Sequence, residues 1–137
     1  NTELASAHGW EFGVAMRPVD GFDVALNYTT IDAVDETTSN FLPRRAKDKA
    51  SVVVDYRLES GIGIGSTVLM VGDSFDTATT SRELDGYVVT DVRASYGLTD
   101  NLEVFGRIEN LFDAEYETVF RYGQPGRAAF GGVRYRL

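Results

Sequence analysis

Cysteine is absent from the 137-residue sequence, and histidine occurs once, at His8. Without thiols the chain can have no disulfide framework, thiol nucleophile or cysteine-ligated metal site, and a lone histidine in a strand-like segment is typical of a tolerated polar residue. A serine–histidine–acid arrangement and a phosphate-binding loop are also missing. Loop carboxylate pairs such as Asp35 and Glu36 do not follow the D-x-D-x-D-G calcium pattern. These absences predict a protein that is not an enzyme and that holds no cofactor or metal.

Basic residues and long apolar runs are scarce. Lysine and arginine together number 13 against 21 acidic residues, the formal net charge is -8, and no basic run is longer than the pair Arg44 and Arg45. A nucleic-acid partner is therefore not expected. The sequence has no run of about 18 apolar residues, which excludes a transmembrane helix. That criterion does not exclude transmembrane strands, because these are apolar only at every second residue.

Seven segments alternate apolar and polar residues, as strands do, and no segment has a persuasive helical period. Most of them run about 10 to 12 residues, which is roughly twice the usual strand in a globular protein and matches a tilted strand that crosses a membrane. The segments are 6–17, 22–33, 48–58, 61–72, 86–98, 102–111 and 130–137. The sequence therefore predicts an all-β, antiparallel fold.

The connections between these segments alternate in length. Short turns at 18–21, 59–61 and 99–101 are interleaved with long loops at 34–47, 73–85 and 112–125. This order is typical of an outer-membrane barrel, which has tight turns on one side and long loops on the other. Aromatic residues near strand ends or on the apolar face fit the same interpretation. They are Trp10, Phe22, Tyr28, Tyr56, Tyr87, Tyr96 and Tyr135.

Alternation alone leaves a second interpretation open, namely a soluble β-barrel or sandwich that binds a ligand and has its apolar face inside. The membrane interpretation carries a further expectation. An open sheet of seven strands would leave two unpaired edges in lipid, where unsatisfied backbone groups are costly. If the strands span a membrane, we expect the chain to be part of a larger barrel.

Three stretches carry a resemblance to a known family. They are LPRRAKDKASVVVDYRL (42–58), LDGYVVTDVRASYGLTDNLEVFGRIENLFD (84–113) and NLFDAEYETVFRYGQPGR (110–127). Together they resemble the C-terminal end of a TonB-dependent outer-membrane receptor, most closely one that imports cobalamin; heme and siderophore receptors share part of the pattern. The resemblance implies that residues 1–137 are the last seven strands of a barrel of about 22 strands, without its plug domain and N-terminal strands.

The resemblance also implies a location and partners. The protein would lie in the outer membrane of a bacterium, with the long loops extracellular and the short turns periplasmic. Its partners would be the lipid bilayer, its own plug domain, the TonB complex, the barrel assembly machinery, and cobalamin or a metal chelate. In NLFD, by contrast, Asn110 and Asp113 have a simple structural interpretation, because these residue types end strands by bonding nearby backbone.

Particular residues follow from the same resemblance. Arg44, the first arginine of RRAK, matches a family residue that contacts the ligand, and its planar, permanently charged group suits amide or phosphate oxygens. Thr79 stands nearest to the position of a second contact, which is a tyrosine in the family. Charged residues expected to face the lumen and plug are Asp91, Arg93, Arg107, Glu109 and Arg134. A C-terminal assembly signal is implied at Gly132, Tyr135 and Leu137, although the usual final aromatic is replaced by Leu137 and the usual polar position by Phe130.

Overall fold

The computed structural model describes residues 4–78 and 82–137, and the ordered elements in these ranges are β-strands. Within them, no helix has the length and apolar character needed to cross a membrane. The long strands are β1 (Ala5–Val19), β2 (Phe22–Asp35), β3 (Asp48–Arg57), β4 (Ile62–Val71), β7 (Tyr87–Gly97), β8 (Leu102–Glu109) and β11 (Ala128–Tyr135). The short strands are β5 (Ser74–Phe75), β6 (Glu83–Leu84), β9 (Glu117–Val119) and β10 (Tyr122–Gly123).

The long strands form one antiparallel sheet in the order β1-β2-β3-β4-β7-β8-β11, so each strand pairs with its neighbours along the chain. This arrangement confirms the predicted all-β antiparallel fold and all seven predicted segments. The main difference in bounds is at the last strand, which was predicted at 130–137 but runs from Ala128 to Tyr135, so that residues 136–137 lie outside it. A second difference is at β1, which continues past Pro18 to Val19. Its register shifts between Met16 and Val19, because proline has no N–H to donate to the ladder.

The register places the alternating apolar residues on one face of the sheet. Phe12 lies opposite Tyr28, and Val104 lies opposite Val133. Many of these side chains are exposed, and Trp10 exposes 71% of its surface. The chain exposes 9730 Å² in all, against about 7,100 Å² for a compact monomer of its mass. The apolar face therefore needs a cover, such as lipid, that this sheet does not supply.

The soluble interpretation does not fit this burial. A soluble barrel would bury its apolar face, whereas in the part of the chain that the structure describes the buried hydrophobic residues are only Ala33, Ala46 and Leu84. No large side chain in those ranges is fully buried. The sheet is also open, because β1 and β11 each pair along one edge only. The interior of the isolated chain is thus too small to act as a soluble core.

The two ends of the sheet differ. The turns after β1, β3 and β7 are short, whereas the connections after β2, β4 and β8 are the first loop (36–47), the second loop (72–86) and the third loop (110–127). The sequence predicted these as irregular loops, but the second contains the β5–β6 hairpin and the third the β9–β10 hairpin. These strands of two or three residues are too short to produce an alternating pattern.

Candidate functional site

The first loop folds back on the strand that precedes it. Asp35 accepts hydrogen bonds from the backbone N–H groups of Thr37 and Thr38 at 2.8 and 3.2 Å, which turns the chain at the end of β2. The Leu42 N–H then donates to the Ala33 carbonyl at 2.9 Å. Arg44 follows Pro43 in the left-handed backbone region, at a φ of 58°. Its position is thus set by a sharp turn at the loop end of the sheet.

Arg44 is held by the second loop through two bonds. Its Nε donates to Asp76 Oδ1 at 2.8 Å, and its backbone N–H donates to the Phe75 carbonyl at 2.6 Å. The rings of Phe41 and Phe75 stack beside this contact with centroids 6.5 Å apart. The Arg44 side chain nevertheless remains 53% exposed. Arg44 is therefore fixed at its Nε while its outer surface faces the solvent.

Asp76 joins all three loops. It lies in the second loop, bonds Arg44 of the first, and accepts a backbone hydrogen bond from Phe120 of the third. The Arg44 hydrogen bond, followed by the Phe120 bond, lowers the pKa of Asp76 against an opposing effect of burial. With only 8% of its surface exposed, Asp76 is one of two buried polar residues in the described ranges. No pattern in the sequence singled out this residue.

Two further arginines lie on one aromatic ring near Asp76. The guanidinium carbons of Arg82 in the second loop and Arg121 in the third are each 5.3 Å from the centroid of the Phe120 ring. Arg82, Phe120, Arg121 and Tyr122 line an open cleft of about 650 Å³. We call this the arginine cleft. Sequence reasoning missed it, although basic loop residues in an acidic chain are a signal that could have found it.

Phe120 also lines a second cleft, whose charge is opposite to that of the arginine cleft. This acidic cleft, of about 680 Å³, lies between the second and third loops. Its carboxylates are Glu83, Asp85, Asp113, Glu115 and Glu117. Two of them are bonded within the third loop: Asp113 accepts the Arg127 N–H, and Glu117 accepts the Arg121 N–H, each at 2.7 Å.

The base of the third loop confirms the structural interpretation of NLFD. Asn110 is 4% exposed and has a φ of 50°. Its side chain accepts from the Ala114 N–H at 2.8 Å and donates to the Ala114 carbonyl at 2.9 Å. Asp113 is also left-handed, with a φ of 56°. These bonds close the loop base, while Tyr116 stacks on Tyr87 of β7 at 4.2 Å between centroids.

The charged residues predicted to face a lumen do share one face of the sheet, opposite the apolar one. Arg93 lies opposite Arg107, and its guanidinium forms a two-point contact with Asp55, at 3.0 and 2.5 Å. Arg134 pairs with Glu103 at 2.6 Å, and Arg107 pairs with Glu109 at 3.1 Å. Asp91 on β7 accepts the Asn110 N–H at 2.9 Å. The residues thus form a charged wall held by local pairs.

The end of β11 has its own packing. A Cβ placed on Gly132 would lie 2.6 Å from the ring of Phe105, so a larger residue at this position would require the ring to shift. Tyr135 is on the apolar face opposite Leu102 and is 64% exposed, and Leu137 is fully exposed. The Asn101 side chain donates to the Arg136 carbonyl at 2.8 Å and ties the strand end to the turn before β8.

The remaining predictions about sites concern Thr79 and metal ions. Thr79 lies outside the described residues. In residues 4–78 and 82–137, histidine, aspartate and glutamate do not form a group of three that could hold a metal ion. Of the two predicted ligand contacts, Arg44 is the one that lies among the described residues, at the loop end of the sheet, and its contact with a ligand stays a prediction.

The chain is similar to known proteins in its sequence. Residues 1–111 match the model of the family described as TonB dependent receptor-like, beta-barrel. The "Vitamin B12 transporter BtuB" of Photobacterium profundum is 36% identical over 112 residues, which are 82% of this chain and 18% of the relative. The protein of the same name from Vibrio vulnificus is 34% identical over 111 residues, which are 77% of this chain and 18% of the relative. The chain thus spans less than a fifth of the length of these relatives.

Two solved structures share the fold. The siderophore receptor PiuA from Acinetobacter baumannii superposes with a TM-score of 0.85 at 20% identity, over 96% of this chain and 22% of the receptor. The ferripyoverdine receptor of the outer membrane of Pseudomonas aeruginosa superposes with a TM-score of 0.81 at 19% identity, over 96% of this chain and 19% of the receptor. At such identities the likeness concerns the fold alone. Sequence and fold agree that this chain belongs to the TonB-dependent receptor β-barrel family.

Proposed function

We propose that this chain is the C-terminal part of the barrel of a bacterial outer-membrane receptor that imports cobalamin. The observation that carries the proposal is the identity of about a third to two proteins named vitamin B12 transporters, over about four fifths of the chain. The siderophore receptors match at about a fifth, which supports the fold but not a siderophore as ligand. A siderophore or heme chelate is the alternative ligand of the same type of receptor.

The membrane placement accounts for the two faces of the sheet. The apolar face, with exposed residues such as Trp10 and Val133, would contact lipid, where apolar side chains are favourable. The charged wall around Arg93 would face the lumen and the plug domain, where ion pairs remain hydrated or bonded. The open edges of β1 and β11 would pair with strands of the remaining barrel. The TonB complex and the barrel assembly machinery would be its other partners.

Arg44 is the proposed ligand contact on the extracellular side. Its Nε bond to Asp76 fixes the side chain, which lowers the conformational entropy lost on binding. Its exposed outer surface can still donate to the amide or phosphate oxygens of a corrinoid. Asp76 would then act as a positioning residue that holds Arg44 toward the ligand.

The test uses the complete receptor in outer-membrane vesicles and measures binding of cyanocobalamin. We expect binding by the parent protein and an affinity about tenfold lower in Arg44→Ala, since one charge-assisted hydrogen bond contributes about that much. Arg45→Ala, which removes an exposed arginine from the same loop, is the matched control and should bind like the parent. Absence of cyanocobalamin binding by the parent would refute a cobalamin receptor, and unchanged affinity in Arg44→Ala would exclude this residue from the site.

A further inference from the structure

The arginine cleft has an excess of positive charge that the structure does not neutralise. Among residues 4–78 and 82–137, neither Arg82 nor Arg121 takes part in an ion pair. Within the same ranges, the only direct partner of each guanidinium group is the Phe120 ring. Because both lie 5.3 Å from its centroid, the two charges are within twice that distance of each other and repel. An anion in the cleft would relieve this repulsion.

Nearby carboxylates are engaged elsewhere. Asp76, the closest buried acid, bonds Arg44, and its interaction with Arg82 is only a weaker, longer-range one. The Glu117 carboxylate accepts a hydrogen bond from the backbone N–H of Arg121 and not from the Arg121 side chain. The acidic cleft lies between the second and third loops, and only Phe120 is shared by the linings of the two clefts. The guanidinium groups of Arg82 and Arg121 are therefore left for an external partner.

The backbone at Arg121 supports a role for its side chain. Arg121 occupies the turn between β9 and β10 with a φ of 64°, in the left-handed region that glycine or asparagine adopts at less cost. Strained positions of this kind are concentrated at sites of function. The hairpin alone gives no reason for an arginine here, whereas a charged group placed over Phe120 does.

We propose that Arg82 and Arg121, held on the Phe120 ring, form a binding site for an oxyanion group of the imported ligand. Guanidinium groups bind phosphate oxygens through paired N–H donors, and the exposed Tyr122 adds a hydroxyl as a second type of donor in the cleft. The identity of the ligand rests on the function proposed above. For cobalamin, the oxyanion is the phosphodiester that links the corrin ring to its nucleotide.

The first experiment compares two corrinoids on the complete receptor in outer-membrane vesicles. Cyanocobalamin contains the phosphodiester, whereas cobinamide lacks both it and the nucleotide. We expect the double variant Arg82→Ala/Arg121→Ala to bind cyanocobalamin at least about tenfold more weakly and cobinamide as the parent does. Arg45→Ala should change neither affinity. Equal losses for both corrinoids, or no loss for either, would overturn the proposal.

The variant Arg121→Gly distinguishes a role of Arg121 in ligand binding from a role in shaping the β9–β10 hairpin. Glycine adopts the left-handed turn without strain, so the hairpin should be at least as stable as in the parent. If Arg121 binds the oxyanion, Arg121→Gly loses cyanocobalamin affinity to the same extent as Arg121→Ala. If the arginine only shapes the hairpin, glycine keeps full affinity, and the proposal fails.

A second experiment does not depend on the corrinoid. Phenylglyoxal modifies exposed arginines, and mass spectrometry measures the rate at each site. We expect inorganic pyrophosphate to slow modification of Arg82 and Arg121 but not of Arg45. Protection in a receptor that binds no corrinoid would support the oxyanion site while refuting the cobalamin function. Equal modification rates with and without pyrophosphate would overturn the oxyanion site, whichever corrinoid binds.

Discussion

The loop end and the turn end of the sheet are stabilised in different ways. All five buried residues in the described ranges lie at the loop end: Ala33, Ala46, Asp76, Leu84 and Asn110. The turn end is held by hydrogen bonds within short turns, such as Leu58 N–H to the Ile62 carbonyl at 2.8 Å, by bonds between neighbouring strands, such as Arg57 N–H to the Gly21 carbonyl at 2.8 Å, and by the exposed Arg17–Asp23 pair. Pairing of neighbouring strands is enough to form the turn end, whereas the loop end also depends on side-chain contacts between different loops.

The largest effect on loop cleavage is expected from Asp76→Ala, because this change removes a contact between different loops that the turn end does not have. The change removes the acceptor shared by Arg44 and Phe120 and so separates the three loops. We expect trypsin to cleave the complete receptor after Arg44, Arg82 and Arg121 roughly tenfold faster, because these loops then open more often. Mass spectrometry of timed digests gives the rates.

Arg17→Ala is the control for this comparison. It removes an exposed ion pair at the turn end, and such pairs contribute little to stability. The loop cleavage rates should equal those of the parent. Loop cleavage that stays slow in Asp76→Ala would mean that the three loops are held together without this carboxylate.

A smaller effect is expected from Gly132→Ala, which tests a tightly packed position in the last strand. The added methyl would meet the Phe105 ring at 2.6 Å and force it to move, at a cost of about 1 to 3 kcal/mol in the free energy of unfolding. Loss of the folded barrel on heating, read as a gel shift in the complete receptor, measures the change.

Gly131→Ala provides the matched substitution one residue away. A Cβ at Gly131 would lie 3.6 Å from the Phe105 carbonyl oxygen, which is an ordinary contact. This variant should unfold at nearly the parent temperature. Equal destabilisation of the two variants would show that glycine matters to the strand as a whole and not through the Phe105 ring.

The smallest effect on loop cleavage is expected from lowering the pH. The pKa of Asp76 in the folded protein is lowered below the ordinary 3.8, so its contribution to loop stability is complete above about pH 5 and is lost as the pH falls through the folded value. We expect pepsin cleavage of the loops to accelerate as the pH falls below that ordinary value. The protonated carboxyl keeps its acceptor oxygen, which makes the effect weaker than that of Asp76→Ala.

Asp76→Asn tests the assignment of the acid effect. It retains an oxygen for hydrogen bonds but carries no titrating charge, so its loop cleavage should lose the additional rise that the parent shows as the pH falls below the ordinary value of 3.8. The same rise in parent and Asp76→Asn would assign the acid sensitivity to another group.

The charged wall could be predicted from the sequence, and much of the loop end could not. Alternation with a period of two specifies a strand and its two faces, and antiparallel neighbours follow from short turns, so pairs such as Tyr96 and Val104 are expected. Arg44 and Asp76 are 32 residues apart, and no local pattern joins them. The left-handed φ of Arg121 is equally hidden, because arginine is not a residue that predicts it. The family resemblance predicted a role for Arg44, but it gave no indication of the arginine cleft.

The arginine cleft and the acidic cleft share Phe120 in their linings. An electric field therefore runs between the guanidinium groups of one cleft and the carboxylates of the other. A molecule with a negative and a positive end experiences a torque in such a field before it makes contact. The pair of clefts thus gives the loop end of the sheet an electrostatic direction, so the charge distribution of an approaching molecule affects its orientation before its shape does.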